Sequence, residues 1–211
     1  LGLQIDEVCA NTLTHAISRY DISSEIGKAF MLPIDNQNFN RILFVGFGDA
    51  KKVNAVTLTK AIKALTAQIQ DTNIKNLCIA LDEISSDISA SQIIQESIVA
   101  IEGSQYSFDQ FKTKKTPKSS LSEITFHSDE TQKASGNAAI LKTQAQVKGM
   151  NKAKDLGNLP GNVCTPTYLA EQAQLLALNS ENINVKILEE SDLEALNMGA
   201  FLSVSKGSTE P

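Results

Sequence analysis

The sequence predicts an α/β fold built on a mixed, largely parallel sheet. Three observations carry the prediction. Short apolar runs bounded by turn residues occur at 42–45, 76–81 and 122–127. Amphipathic stretches of helical period separate them, at 54–70 and 89–111. The resulting order, strand, helix, strand, helix, strand, is that of crossover-connected strands.

The first element is "RILFVGFG" (41–48), where Ile42, Leu43, Phe44 and Val45 run into two glycines. A continuous apolar run of this length is the pattern of a strand covered on both faces. "NAVTLTKAIKALTAQIQ" (54–70) follows, with Val56, Ala61, Leu65 and Ile69 on one helical face. "NLCIAL" (76–81) is a second buried strand. "SASQIIQESIVAIEGSQYSFDQF" (89–111) is a helix with Ile93, Ile94, Ser97, Ile98 and Ile101 facing inward, and "SEITFH" (122–127) alternates as a further strand.

From Ser128 the pattern changes. Asp129 and Glu130 stand where a helix N-terminus favours negative charge. A stripe of small or apolar residues then runs through Ala134, Ala138, Leu141, Ala145, Gly149, Ala153 and Leu156. This predicts one long helix ending where Gly157, Asn158 and Pro160 break it. Such a helix suits a connection between two domains. Beyond it, Thr165 caps a helix with Pro166 at its first position. Its inner side is Tyr168, Leu169, Ala173 and Leu176. "NVKIL" (184–188) is predicted as a strand, "SDLE" (191–194) as a capping box of Ser191 and Glu194, and "AFLSVS" (200–205) as a strand. The domain boundaries that follow are 1–128, 129–163 and 164–211.

Composition narrows the function classes. The 211 residues are 42% apolar and 20% charged, an ordinary globular mixture long enough to bury a core. A net charge of −5 argues against a general polyanion binder. The three cysteines, Cys9, Cys78 and Cys164, form no CxxC or Cys/His spacing, and fit reduced thiols in a cytosolic protein. No apolar run approaches the length of a membrane span. The chain opens on Leu1, and the last residues leave a strand-like stretch for a turn, as in a piece of a longer protein.

Few side-chain groups point to chemistry. "VGFGD" (45–49) follows a strand and is a candidate phosphate loop, set against a plain tight turn, since it is neither GxGxxG nor GxxxxGK[ST]. His15 and His127 lack a nucleophile partner, and Cys164 lacks a base. Asp82-Glu83, Glu189-Glu190 and Asp192-Glu194 read as capping or solvated carboxylates. Lys112, Lys114, Lys115 and Lys118 form the one charge run, read as a solvated loop with DNA contact as the alternative.

A resemblance adds to this reading. "KAKDLGNLPGNVCTPTYLAEQAQ" (152–174) and "ILEESDLEALNMGAFLSVSKGSTEP" (187–211) resemble the cytosol (leucyl) aminopeptidase family. The pattern shared there runs through Asp-Leu, Asn-x-Pro-x-Asn, Thr-Pro, Tyr-Leu-Ala, Leu-x-Met-Gly-Ala and Gly-Ser-x-Glu-Pro. "YSFDQFKTKK" (106–115) and "ILFVGFGD" (42–49) are similar to its earlier stretches. The resemblance implies a macro-domain-like N-terminal α/β domain, a linking helix at 129–156 and the first βα elements of a catalytic domain. It implies a hexameric, cytoplasmic, two-metal exopeptidase (Mn or Zn) that removes N-terminal residues, often leucine, from peptides. The family motif Asn-Thr-Asp-Ala-Glu-Gly-Arg occurs nowhere in the chain. No catalytic or metal residue is therefore assigned within it, ligand-binding residues stay unassigned, and the 211 residues alone are expected to hold no metal and be inactive. The competing reading is a free-standing α/β module binding a nucleotide, an ADP-ribose-like ligand or DNA.

Overall fold

The computed structural model describes residues 12–19, 22–34, 38–81, 88–208. The elements are α1 (Thr12–Arg19), β1 (Ala29–Pro33), β2 (Arg41–Val45), α2 (Ala55–Ile69), β3 (Asn76–Ala80), α3 (Ala90–Gln105), β4 (Glu123–His127), α4 (Lys133–Asn158), α5 (Pro166–Leu178), α6 (Glu190–Ala195) and α7 (Gly199–Ser205). The chain divides into two compact units, residues 1–151 and 152–211.

In the first unit, β1 and β2 pair antiparallel, with Met31 opposite Leu43, and β3 and β4 pair parallel, with Cys78 opposite Thr125. The α/β prediction with mixed pairing holds. Both crossover helices begin with reciprocal caps. Asn54 Oδ1 accepts from the Val56 and Thr57 amides while the Thr57 hydroxyl accepts from Asn54 N, and Ser89 and Gln92 do the same for α3. Each such cap is worth about 1 kcal/mol.

The core forms where α2 and α3 lie on the strands. Leu58, Ile62 and Leu65 of α2 meet Ile93, Ile94, Ile98 and Ile101 of α3, with Ile79 of β3 beneath and Leu43, Val45, Ile124 and Phe126 packed against them. Ile42 and Phe44 point the other way, to a smaller cluster around Ala16 of α1 and Leu32 of β1. β2 is thus covered on both faces, as its unbroken apolar run predicts. All five residues predicted to face inward on α3 are buried. On α2, Val56 departs from prediction at 64% exposed, because it sits in the first turn, short of the strands. The helix predicted over 89–111 stops at Gln105, since Tyr106 already has extended backbone.

The α4 stripe is also corrected. Its buried residues are Gly136, Thr143 and Val147, with Ala139 and Ile140 packed on the core. Ala134, Ala138, Leu141, Ala145 and Gly149, displaced by two positions, lie on the opposite face, and Leu141 is 69% exposed. Two residues turn a helix by about 200°, so a stripe of small residues two places out of step selects the wrong side. Gly136 allows the close approach: a Cβ there would sit 3.3 Å from Ile94 Cδ1. The helix also runs through Gly157 to Asn158, so Gly157 does not end it.

The second unit holds α5, α6 and α7. None of residues 152–208 is buried. The stretches predicted as strands are not strands. Residues 184–188 lie outside any regular element, with only Val185 and Ile187 half-buried, and 200–205 belong to α7. A six-residue apolar run does not distinguish strand from helix by period, and no strand among the described residues stands beside either one. The capping box is shifted by two: Glu189 N donates to Asp192 Oδ2 at 3.1 Å, so the cap is Glu189 rather than Ser191.

Candidate functional site

The turn that the sequence marks most heavily, 155–166, forms as its residues dictate. Pro160 cannot continue α4, and its carbonyl accepts from the amides of Val163 and Cys164, both at 2.9 Å. The Thr165 hydroxyl accepts from Tyr168 N at 3.2 Å and Pro166 occupies the first helical position. Lys152 Nζ donates to Gln172 Oε1, joining the last turns of α4 to α5. "LNMGA" is a Schellman cap closing α6. Asn197 takes φ 57°, Met198 N donates to Leu193 O at 3.0 Å and Asn197 N to Glu194 O at 2.9 Å.

"VGFGD" is shaped by packing rather than by a ligand. Gly46 N donates to Lys28 O at 2.8 Å and Gly48 N to Ser24 O at 2.7 Å, so both glycine amides of the loop are already used. A Cβ on Gly46 would run into the Glu25 carbonyl, 2.8 Å from Ser24 C and 2.9 Å from Glu25 C. Gly48 has φ +76°, which favours glycine. Asp49 caps the short 3-10 turn Ala50–Lys52, accepting from Lys51 N at 3.0 Å. Next to this turn a cleft of about 400 Å³ lies between the first turns of α2 and α3, lined by Asn54, Leu58, Ile88, Gln92 and Glu96 among others. Of its polar groups, Asn54 and Gln92 serve the caps, and Glu96 Oε2 accepts from the Thr59 hydroxyl at 3.3 Å.

The lysine run closes on one carboxylate. Asp109 Oδ2 accepts from Thr116 N at 2.6 Å, Oδ1 from the Thr116 hydroxyl at 2.9 Å, and Lys112 Nζ lies 3.0 Å from Oδ1. Lys115 Nζ donates to the Asp109 carbonyl. The Thr116 backbone amide, then Lys112, lower the Asp109 carboxyl to about 2. Of the four lysines, two are thus committed to holding their own loop.

His15 and His127 are exposed and lie on α1 and β4. Cys164 is half-buried in the turn before α5, and Cys78 is exposed on β3, where partial burial still raises its thiol pKa. Cys9, Asp82 and Glu83 lie outside the described residues. Glu189 and Asp192 are the α6 cap. Among the described residues no group of three or more His, Cys, Asp or Glu side chains could hold a metal ion. No helix among them is long and apolar enough to cross a membrane.

Comparison with known proteins matches this arrangement. The profile described as "Cytosol aminopeptidase family, N-terminal domain" matches residues 2–115, and the profile "Cytosol aminopeptidase family, catalytic domain" matches residues 151–211. The protein named "Probable cytosol aminopeptidase" from Histophilus somni is 37% identical over 98% of this chain, and that from Nitrosomonas eutropha is 36% identical over 98%. The chain spans 42% of the length of each. Among solved structures, a mutant of tomato leucine aminopeptidase is similar with a TM-score of 0.74 at 24% identity, over 98% of this chain and 40% of that one. The bottromycin maturation enzyme BotP gives 0.73 at 21%, over 93% and 41%. The α/β fold is theirs, and by profile and by sequence the chain belongs to the cytosol aminopeptidase family.

Proposed function

We propose that residues 1–211 are the front portion of a leucyl aminopeptidase. The parent would be a two-metal hydrolase releasing N-terminal residues, leucine preferred, from peptides, working as a cytoplasmic homohexamer. One observation carries the reading: the catalytic-domain profile starts at residue 151, within α4, and runs to Pro211. On this reading 1–128 is the N-terminal domain, 129–163 the linking helix and turn, and 164–211 the opening of the catalytic domain.

The two metal ions of the parent, Mn or Zn, find no donor set among the described residues. The described part offers no cluster of donors, and its carboxylates at 189 and 192 are spent on the α6 cap. No catalytic step is routed through this chain. Its residues turn the polypeptide out of α4, cap α5 and present α5–α7 with their apolar sides uncovered: Leu178 is 81%, Phe201 65% and Val204 88% exposed. On this reading the rest of the parent covers these faces. The free-standing module reading loses support from the loop that motivated it, because the Gly46 and Gly48 amides are bonded within the domain.

The test is to read the source gene past the codon for Pro211 and assay both products on leucine p-nitroanilide with Mn²⁺ or Zn²⁺. The reading expects a longer frame whose product cleaves the substrate only with metal, while the 211-residue chain does not. A frame closing at Pro211, or an inactive longer product, would overturn it.

A further inference from the structure

Between α3 and β4 the chain runs from 106 to 122 without a helix or strand. That is longer than most connections in a compact unit, and loops of such length usually serve a function. The composition of this one is unlike the rest of the protein. Lys112, Lys114, Lys115 and Lys118 stand against Asp109 alone, a local charge of +3 on a chain whose net charge is −5. All residues from 110 to 120 are exposed. Among them Phe111, 56% exposed, is a large apolar side chain that belongs to neither core cluster.

The loop is nevertheless held in one shape. Asp109 Oδ2 accepts from Thr116 N at 2.6 Å, Oδ1 accepts from the Thr116 hydroxyl at 2.9 Å, and Lys112 Nζ lies 3.0 Å from Oδ1. Lys115 Nζ donates to the carbonyl of the same aspartate. Half-buried Phe108 meets Phe111 edge to face, with ring centroids 6.0 Å apart, which fixes where the exposed ring stands. A segment that only had to cross solvent would need none of these bonds. Lys114 and Lys118 stay outside the clamp and exposed. The loop thus displays one phenyl ring together with ammonium groups, and it has little conformational freedom left to lose on contact.

We propose that this loop is a contact site for anionic lipid, docking reversibly on a membrane surface with Phe111 at the headgroup level and the lysines on lipid phosphates. An aromatic ring gains by leaving water for that interface, and lysine stems bury their methylenes while the ammonium heads stay among the headgroups. Nucleic acid is the other polyanion to weigh, and the loop suits it less. It has no arginine, and Phe111 is its one exposed aromatic, so successive bases find no stacking platform. The Thr116 amide and hydroxyl, neutral donors that a phosphate could use, are spent on Asp109. Acidic surface elsewhere opposes a long duplex more than a contact confined to one loop, since charges farther off than about 8 Å are screened at physiological salt. Each lysine near an anionic surface strengthens binding about fivefold, so a single loop binds weakly and lets go readily.

The experiment is flotation of the full-length gene product and of the 211-residue chain at low salt, with vesicles of equal parts phosphatidylglycerol and phosphatidylcholine. Vesicles of phosphatidylcholine alone are run beside them. Both proteins are expected to float with the anionic vesicles only and to be released by salt. Lys114→Glu combined with Lys118→Glu should lower the partition at least about twentyfold, with the circular dichroism spectrum unchanged. Because the 211 residues contain no tryptophan, Phe111→Trp introduces a single reporter. Its emission should shift to the blue with anionic vesicles and be quenched by brominated acyl chains. No flotation, or flotation that the lysine changes leave undiminished, overturns the proposal. So does an unmoved emission, which would reduce the contact to loose charge attraction without insertion. Binding of a single-stranded or duplex oligonucleotide without vesicle binding would assign the loop to nucleic acid instead and overturn it too.

Discussion

Replacing Gly46 by alanine tests whether the glycine loop is a packing device. The Cβ would lie 2.8 Å from Ser24 C and 2.9 Å from Glu25 C, where ordinary contact begins near 3.4 Å. The obstacle is backbone, so relief requires moving the 24–28 turn away from β2. That turn is held by Gly46 N to Lys28 O, Gly27 N to Gly46 O at 3.1 Å and Gly48 N to Ser24 O. With each hydrogen bond worth about 1 kcal/mol net, loss of the three costs about 3 kcal/mol. In a domain of this size that lowers the melting temperature by roughly 6–12 °C. Circular dichroism during thermal and urea unfolding reads the change. An alanine variant within about 0.5 kcal/mol of the parent would refute the packing account. It would return the loop to the class of ligand cradles, where glycine is kept for a bound group and its loss costs binding instead.

The remaining predictions concern the core, the lysine loop and α4. Ile101→Ala, at a site with no exposure, should destabilise by about 3 kcal/mol in urea unfolding, whereas Val56→Ala should change stability by less than about 0.5; similar costs for both would mean the core is misplaced. The Ser97 hydroxyl is fully buried and has no hydrogen-bond partner, so Ser97→Ala should leave stability unchanged or raise it by about 1 kcal/mol, and a clear loss would reveal a bond not accounted for. The carboxyl of Asp109 is lowered to about 2, so the loop it organises is fully held above the ordinary aspartate value and released as pH falls through about 2. The Thr116 amide resonance should titrate with that midpoint and stop doing so in Asp109→Asn; a midpoint near 4 would show the cluster to be open in solution. Gly149 lies inside α4 with open space around its Cβ position, so Gly149→Ala should stabilise the 211-residue chain by about 1 kcal/mol on heating, and a loss would mean something packs there.

Where the sequence was legible, side-chain volume made it so. Ile93, Ile94, Ile98 and Ile101 are large enough that only one face of α3 can be buried, and Ser97 is carried in by its position among them. On α4 the predicted stripe is mostly alanine and glycine, with Leu141 and Leu156 its only large residues. The deciding residues, Thr143 and Gly136, are ones that hydrophobicity does not rank: the threonine hydroxyl bonds the Ala139 carbonyl at 2.7 Å, and the glycine makes room for Ile94. The cap at Thr165 was readable because capping is local chemistry, complete within four residues. The strands predicted at 184–188 and 200–205 failed for the converse reason, since a strand is defined by its neighbour and no described strand stands beside them. The candidate site offered less: the glycines of "VGFGD" signal a close approach, but only the turn at 24–28 reveals that the approaching group is the chain's own backbone.

The continuous run of α4 from Lys133 to Asn158 has a consequence for how the protein is made. Its stretch up to Val147 lies on a finished core, through Ile140, Thr143 and Val147, while the rest leads into residues 152–208, none of which is buried. A ribosome delivers the N-terminal side first, at roughly 5–20 residues per second. The early turns of α4 therefore have a surface to settle on as soon as they emerge. The later turns must wait for partners not yet translated, their helical form seeded from behind. Nucleation, the costly step for any isolated helix, is completed once, upstream, so the helix serves as a primer from which the next part of the chain begins its folding.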